Sequence, residues 1–171
     1  PLLNRFCVFG NLFARVDDLT YRIDRHPTMS RHPVTPMDEA DLRRHLGKQT
    51  KREIHLIDVI NLDNLKVVKK YYKRLSNQGG FVLFDVLTTL HLQQIGTILD
   101  EERKNPQQLL VGSSGVEYAL CSHWQQDSLT NRSTVPHITK KANRYMIIAG
   151  SCSPGTAQQI QHGLSLGYTG I

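Results

Sequence analysis

The amino-acid sequence predicts an α/β fold, with a mostly parallel sheet, helices on both of its faces and an antiparallel addition near the N-terminus. The first observation is that short apolar runs alternate with helical patterns from residue 51 onward, at intervals of about 25 to 40 residues, as in successive βα units. The second is that the first 50 residues contain two strand-like runs joined by a polar pair. The alternation predicts parallel strands linked by right-handed crossovers.

Four short apolar runs are the predicted parallel strands, because strands buried on both faces carry few polar residues. They cover residues 54–58, 81–86, 109–112 and 145–150. Apolar residues at helical spacing, as in Leu65, Val68, Tyr72 and Leu75, predict helices between these strands. The predicted helices cover residues 64–77, 88–103, 115–126 and 156–165.

The N-terminal strand-like runs flank two acidic residues. Residues 6–16 and 19–23 are rich in apolar and β-branched side chains, and Asp17 and Asp18 separate them. A short polar piece between two such runs is typical of a hairpin. We therefore expect this pair of strands to add to the sheet in antiparallel orientation.

A proline-rich loop and a helix start follow the hairpin. Residues 24–36 contain three prolines, which restrict the backbone of the predicted loop. Thr35 and Pro36, followed by Asp38 and Glu39, predict the start of a helix, because a capping residue, an early proline and acidic side chains suit a helix N-terminus.

The composition predicts a cytoplasmic domain with one sizeable core. The chain has 171 residues, of which 39% are hydrophobic and 21% charged. Its apolar runs are far shorter than the roughly 20 residues of a membrane span, and the opening residues do not resemble a signal peptide. Because the first residue is Pro1, we expect a processed or partial chain.

The cysteines indicate a reducing compartment. Cys7, Cys121 and Cys152 are odd in number and widely spaced, which predicts neither a disulfide framework nor a zinc site. Cys152 lies at a predicted helix start that would stabilise its thiolate. No histidine is placed beside it by the sequence, so a cysteine hydrolase is not predicted.

The net charge of +6 is spread along the chain and interleaved with acidic residues. Such a distribution is typical of solvated helix faces, and no nucleic-acid-binding motif accompanies it. We therefore predict no nucleic-acid partner and no membrane partner. A positive field also suits anionic small molecules.

Polar residues follow each predicted strand, where ligands collect in open α/β sheets. Asp58 and Asp85 end the first two strands, and they fit either a metal or hydroxyl contact or a simple cap. Glycine and serine turns at residues 112–115 and 150–153 end the other two. Each turn opens a helix whose N–H groups favour phosphate or carboxylate, although an ordinary serine cap fits the same pattern. Neither turn has the lysine of a P-loop.

The proline-rich loop carries Arg25, His26, Arg31 and His32. The planar guanidinium groups suit carboxylate or phosphate, so we expect the loop to bind a ligand or to dock a neighbouring subunit. A solvated basic loop is the alternative. No cysteine or carboxylate supports the histidines at ligand spacing, so no protein metal site is predicted.

Three long motifs, in order along nearly the whole chain, resemble the four-carbon acid sugar kinases. The first is residues 30–37 with residues 41–44, and the second is residues 112–118. The third is residues 150–154 with Thr156 and Gln159. The resemblance implies an enzyme that uses ATP and Mg²⁺ to phosphorylate acids such as threonate, erythronate or an oxo-tetronate.

The resemblance also implies a division of the chain and a set of binding residues. Residues 1–127 would be the C-terminal part of a sugar-acid-binding domain, residues 128–143 a linker, and residues 144–171 the start of a nucleotide-binding domain. The implied acid-binding residues are Arg25, Arg31, His32, Ser113 and Ser114. The implied nucleotide-binding residues are Ser151, Cys152 and Ser153.

Two departures from the family pattern affect activity. The family's N-terminal strand, with paired aspartates and Thr-Gly, has no counterpart here, and neither do its later glycine-rich nucleotide segments. The catalytic residues are expected in the N-terminal segment, so this piece alone is predicted to be inactive. A non-catalytic binding module and a secreted effector-type interaction protein stay open as alternatives, as does a homodimer.

Overall fold

A computed structural model describes residues 3–16, 18–104, 109–126, 144–150 and 154–170 of the chain. The chain divides into two compact units, Pro1–Asn131 and Arg132–Ile171. The predicted linker at residues 128–143 lies outside the described residues. The assignment of the two units to acid binding and nucleotide binding stays a prediction.

Strands and helices alternate in the first unit after an all-strand beginning. The strands are β1 Arg5–Val8, β2 Asn11–Val16, β3 Leu19–Arg22, β4 Ile54–Ile57 and β5 Phe81–Phe84. The helices are α1 Leu42–Gly47, α2 Val59–Leu62, α3 Leu65–Gln78, α4 Thr89–Glu101, α5 Ser114–Gln126 and, in the second unit, α6 Pro154–Ser165. Short 3₁₀ turns cover Ile23–Arg25, Met29–Arg31 and Glu102–Lys104.

The N-terminal strands are antiparallel, as predicted, but a turn divides the predicted run at residues 6–16 into two strands. Strands β1, β2 and β3 pair in sequence order, and Val8 faces Asn11 across a two-residue turn. The turn residues Phe9 and Gly10 have φ angles of 49° and 80°, the left-handed geometry that short hairpins require. Cys7 and Ala14 point to the buried face, as the two-residue period of a strand dictates.

Strands β4 and β5 form a two-stranded parallel sheet, in which Ile54 faces Phe81 and Ile57 faces Phe84. The mixed α/β class is confirmed, although the described residues place more strands in the antiparallel sheet than in the parallel one. An isolated antiparallel bridge between Cys7 and Val86 joins the two sheets, with both N–H···O distances at 2.9 Å.

Two strand predictions are wrong. Residues 109–112 and 145–150 have no ladder partner among the described residues, and Leu109 and Ile148 are 83% and 85% exposed. A short apolar run becomes a strand only where another strand satisfies its N–H and C=O groups. The apolar pattern therefore indicates that these residues favour an extended strand, but it does not show whether another strand pairs with them.

Helix α1 begins later than predicted. Its first residue is Leu42, and the Asp41 side chain accepts a hydrogen bond from the Arg43 N–H as the N-cap. Thr35 instead binds the His32 ring, and the Ala40 carbonyl accepts a hydrogen bond from Leu12 in β2. This pairing holds the chain extended up to Asp41, so the helix starts only after it.

The main core lies between the parallel sheet and helices α2 to α5. Its buried side chains include Ile57, Leu62, Val68, Leu92 and Ile98. A smaller cluster of Ala14, Ile23 and Ala40 lies under the antiparallel sheet. Helix α3 begins at the Asn64 cap, ends at Gly79 with a φ of 77°, and contributes one face to the main core.

Helices α4 and α5 approach each other at Gly96. A Cβ atom added there would lie 2.0 Å from the Ala119 carbonyl oxygen, a distance that backbone atoms cannot accommodate without moving. Gly96→Ala is therefore expected to lower the free energy of unfolding by about 1 to 3 kcal/mol, because it overpacks the core.

Urea unfolding measures this effect, and Gly115→Ala is the matched control in α5. Nothing lies within 4 Å of the Cβ position at Gly115, so that variant should unfold at the parent's urea concentration. Equal stability of the two variants would contradict the close helix contact.

Candidate functional site

The proline-rich segment contains a basic loop, residues 23–34, that consists of two consecutive six-residue repeats. Residues 23–28 read Ile-Asp-Arg-His-Pro-Thr and residues 29–34 read Met-Ser-Arg-His-Pro-Val. In each repeat a 3₁₀ turn ends at the arginine, and the following histidine is the C-cap. The repeat is visible in the sequence, but the sequence alone does not show that each histidine binds backbone N–H groups.

Each histidine of the repeats caps the chain that follows it. The His26 Nδ1 atom accepts hydrogen bonds from the N–H groups of Thr28 and Met29 at 3.2 and 3.1 Å. The His32 Nδ1 atom accepts from Val34 and Thr35 at 3.3 and 3.0 Å. Since Nδ1 is the acceptor in both rings, each neutral imidazole carries its hydrogen on Nε2.

The two repeats differ in burial. Ile23 and His26 are only 2% and 5% exposed, and the His26 ring contacts the Tyr21 ring edge-on at 6.0 Å. In the second repeat, Arg31 is exposed and His32 is half-buried. The first repeat therefore anchors the loop to the antiparallel sheet, and the second leaves Arg31 exposed to solvent and His32 half-buried.

Arg25 and Arg31 are both exposed and form no ion pair with any described residue. Neighbouring arginines are paired: Arg22 binds Asp24, and Arg43 binds Asp41. An unpaired guanidinium group keeps all of its donors for an external carboxylate or phosphate. The loop thus supplies two arginines that can bind an anion.

Burial lowers the pKa of His26, and the nearby charge of Arg5 lowers it further. The pKa is higher in the unfolded chain, so the unfolded state binds the proton more tightly. Stability is therefore complete above the ordinary histidine pKa and is lost as the pH falls through that range toward the lowered folded value. Protonation of Nδ1 would also break both of its backbone hydrogen bonds.

We expect the urea midpoint of the parent to fall between about pH 7.5 and pH 5, the range in which histidine titrates. His26→Asn provides the comparison, because its side-chain oxygen accepts the same N–H groups and does not titrate. The variant should show a smaller fall. An identical pH profile in both proteins would contradict a role for His26 in this dependence.

Ser113 and Ser114 lie at the start of α5 and are exposed. Ser113 lines a cavity of about 340 Å³ whose walls come from β1, β5, α4, α5 and residues 109–112. Apolar side chains such as Phe84, Ile95 and Val116 dominate its lining, which suits a sugar acid poorly. Arg25, Arg31 and His32 do not line it, so no described cavity unites the two predicted parts of the acid site.

Ser151, Cys152 and Ser153 lie outside the described residues, and α6 begins at Pro154 immediately after them. The prediction that this turn binds nucleotide phosphates stays a prediction.

Asp58 and Asp85 hold backbone groups. The Asp58 side chain caps α2 by accepting from the Asn61 N–H at 2.9 Å. Asp85 is fully buried and accepts from the N–H groups of Phe9 and Gly10 at 2.5 and 2.9 Å. Burial, together with the Asp85 carboxylate, raises the pKa of the Cys7 thiol above its usual value.

The described residues show no cluster of metal-ligating side chains. They contain no group of three or more His, Cys, Asp or Glu side chains that could hold a metal ion. Asp58 and Asp85 already accept hydrogen bonds from backbone N–H groups. No magnesium ligand is therefore assigned within the described part of the chain.

Comparison with known protein families identifies the family to which the chain belongs. A family model described as "Sugar-binding N-terminal domain" matches residues 1–120. The chain belongs to this family. The resemblance of the sugar-binding domain to the four-carbon acid sugar kinases is thereby confirmed.

Curated relatives of the sugar-binding domain carry kinase names. A 3-oxo-isoapionate kinase from Paraburkholderia graminis is 44% identical over 94% of this chain and 34% of its own length. A 3-oxo-tetronate kinase from Pectobacterium atrosepticum is 28% identical over 95% of this chain and 36% of its own length. The chain thus spans about a third of the length of these relatives.

A solved Salmonella typhimurium LT2 protein, described as a "putative tRNA synthase", matches the fold with a TM-score of 0.71. It is 25% identical, and the match covers 96% of this chain and 36% of the solved one. Among the residues that the structure describes, no helix is long and apolar enough to cross a membrane.

Proposed function

We propose that this chain is the acid-binding part of an ATP-dependent kinase that phosphorylates a four-carbon sugar acid or a closely related oxo acid. The observation that carries the proposal is the exposed, unpaired Arg31 on a loop held in place by two histidine caps. The names of the curated relatives support the same reaction class.

The loop has the physical properties of a carboxylate site. A guanidinium fork binds both oxygens of a carboxylate at once, and such charge-assisted hydrogen bonds are stronger than neutral ones. Pro27, Pro33 and Pro36 stiffen the loop, and so do the hydrogen bonds from backbone N–H groups to His26 and His32. Little conformational entropy is therefore lost when the acid binds.

The second unit supports the nucleotide side of the proposal. Ser151, Cys152 and Ser153 directly precede α6 in the sequence, and the backbone N–H groups of a helix N-terminus favour phosphate. We infer that ATP is the phosphoryl donor and that Mg²⁺ accompanies it. No residue is assigned to hold the ion, so no step of the reaction is derived through it.

The substrate within this class is an oxo-tetronate, an oxo-isoapionate, threonate or erythronate. The printed names of the relatives favour the two oxo acids. A homodimer, a cytoplasmic location and the absence of a nucleic-acid partner stay predictions.

The decisive experiment measures ADP release from ATP by a full-length protein that carries this sequence, with each of the four acids in turn. We expect turnover with at least one acid and much slower turnover with its neutral amide. Binding of the acid without ADP release would favour the non-catalytic binding module. Failure of every acid to bind or react would overturn the proposal.

A further inference from the structure

We propose that His32 is the residue that reads an oxygen of the sugar acid beyond its carboxylate, through a fixed Nε2–H donor, and that Thr35 positions it. The inference rests on the proposed function, because it assigns a specificity role within the same acid site. The inference assigns different roles to His32 and His26. Both accept hydrogen bonds from backbone N–H groups, but His26 is buried within the loop.

The first step concerns the tautomer of His32. Two backbone N–H groups, from Val34 and Thr35, point at its Nδ1 atom at 3.3 and 3.0 Å. An N–H group cannot donate to a nitrogen that already carries a hydrogen, so the neutral ring is protonated on Nε2. The free end of the ring is then a donor.

The second step concerns what that donor can reach. His32 is half-buried, whereas His26 is 5% exposed and its Nε2 atom is buried without a hydrogen-bond partner among the described residues. Only the second repeat therefore offers an imidazole N–H to a ligand from solvent. The preceding residue, Arg31, supplies the fork for the carboxylate.

The third step divides the acid between the two side chains. Arg31 has enough donors to occupy both carboxylate oxygens. The Nε2–H of His32, which directly follows Arg31 in the chain, is then left for an acceptor close to the carboxylate, which in a sugar acid is a hydroxyl or keto oxygen on C2 or C3. A single-donor contact of this kind discriminates against acids that lack the oxygen, because the donor stays unpaired.

Thr35 is the positioning residue. Its Oγ1 atom lies 3.1 Å from His32 Nδ1, and its N–H donates to the same atom. These contacts hold the capped end of the ring, so the Nε2–H points in one direction. A ring held this way gives the acid a pre-oriented donor.

The test compares threonate with 4-hydroxybutyrate, a four-carbon acid that lacks the oxygens next to the carboxylate end. Affinities are measured by calorimetry on a full-length protein that carries this sequence. His32→Asn is the key variant, because its side-chain oxygen can still accept the Val34 and Thr35 N–H groups while the Nε2–H is lost. His26→Asn is the matched control.

We expect His32→Asn to weaken threonate binding by about 3- to 10-fold, the effect of one neutral hydrogen bond, and to leave 4-hydroxybutyrate binding unchanged. His26→Asn alters the loop scaffold but removes no exposed donor, so it should change the affinity for both acids by the same factor, and Thr35→Val should weaken threonate binding more than Thr35→Ser does. In ¹⁵N spectra of the parent, threonate should shift the His32 Nε2 signal and 4-hydroxybutyrate should not.

Equal effects of His32→Asn on the two acids, or no effect on either, would overturn the assignment while the proposed function stands. An unchanged His32 Nε2 signal with bound threonate would overturn it as well. Failure of the parent to bind any of the sugar acids would instead overturn the proposed function and this inference together.

Discussion

In a full-length protein that carries this sequence, replacing Arg31 by alanine is expected to lower kcat/KM for the proposed sugar acid by about 10- to 150-fold. A hydrogen bond to a charged group contributes roughly 1.5 to 3 kcal/mol, and each 1.36 kcal/mol is a factor of ten. Arg31 is exposed and has no ion pair among the described residues, so its removal should not disturb the fold. The KM for ATP should stay unchanged.

The split between kcat and KM reports what the contact does. If the carboxylate is bound equally in ground and transition states, the loss appears in KM, and if the contact sets the angle of attack, kcat falls too. Arg31→Lys keeps the charge but not the planar fork of the guanidinium group, so its kcat/KM for the acid should lie between those of the parent and Arg31→Ala.

The neutral amide of the acid is the control substrate for Arg31. The parent should handle the amide poorly, and Arg31→Ala should lose little further activity on it. An equal loss on acid and amide would show that the loop does not read the carboxylate, and an interface role for the loop would then be the better account.

Asp85→Ala is expected to give the largest loss of stability, about 3 to 5 kcal/mol, measured by urea unfolding. The Asp85 side chain is fully buried and accepts from the N–H groups of both hairpin-turn residues, Phe9 and Gly10. Alanine would leave these groups without an acceptor, which costs about 1 to 3 kcal/mol each. Phe9 also has a φ of 49°, which a bulky residue adopts only when its surroundings hold it there.

Asp58→Ala is the matched control, since Asp58 also follows a parallel strand but caps the short helix α2. Loss of an N-cap costs about 0.5 to 2 kcal/mol. Asp85→Asn keeps one oxygen acceptor, so its loss of unfolding free energy should lie between those of the two alanine variants. A loss at Asp85→Ala no larger than at Asp58→Ala would contradict the link between the parallel sheet and the hairpin.

Local patterns in the sequence predicted much of the fold. The pairing of β2 with β3, strands β4 and β5, and helices α3 to α6 were expected within a few residues of their observed positions, because two-residue and 3.6-residue periods record which side of an element is buried. The turn at Phe9 and Gly10 was not predicted. The Asn64 and Thr88 caps could be read in the same way, since a cap acts on the next residues in the chain.

Contacts distant in sequence were the source of the errors. The start of α1 moved to Leu42 because the Ala40 carbonyl binds Leu12 of the hairpin. Residues 109–112 were predicted to form a strand, but pairing depends on a partner that an apolar run does not identify.

The sequence by itself determined the α/β class, the antiparallel addition and the membership of the sugar-binding family, because periodicity and motif order are properties of the chain alone. Only the tertiary structure decided that Asp85 serves a hairpin turn 75 residues away and that His26 is buried while His32 is half-buried. Two identical Arg-His-Pro triplets have the same local chemistry. What distinguishes them is the surface against which each one packs, and that surface exists only after the chain has folded.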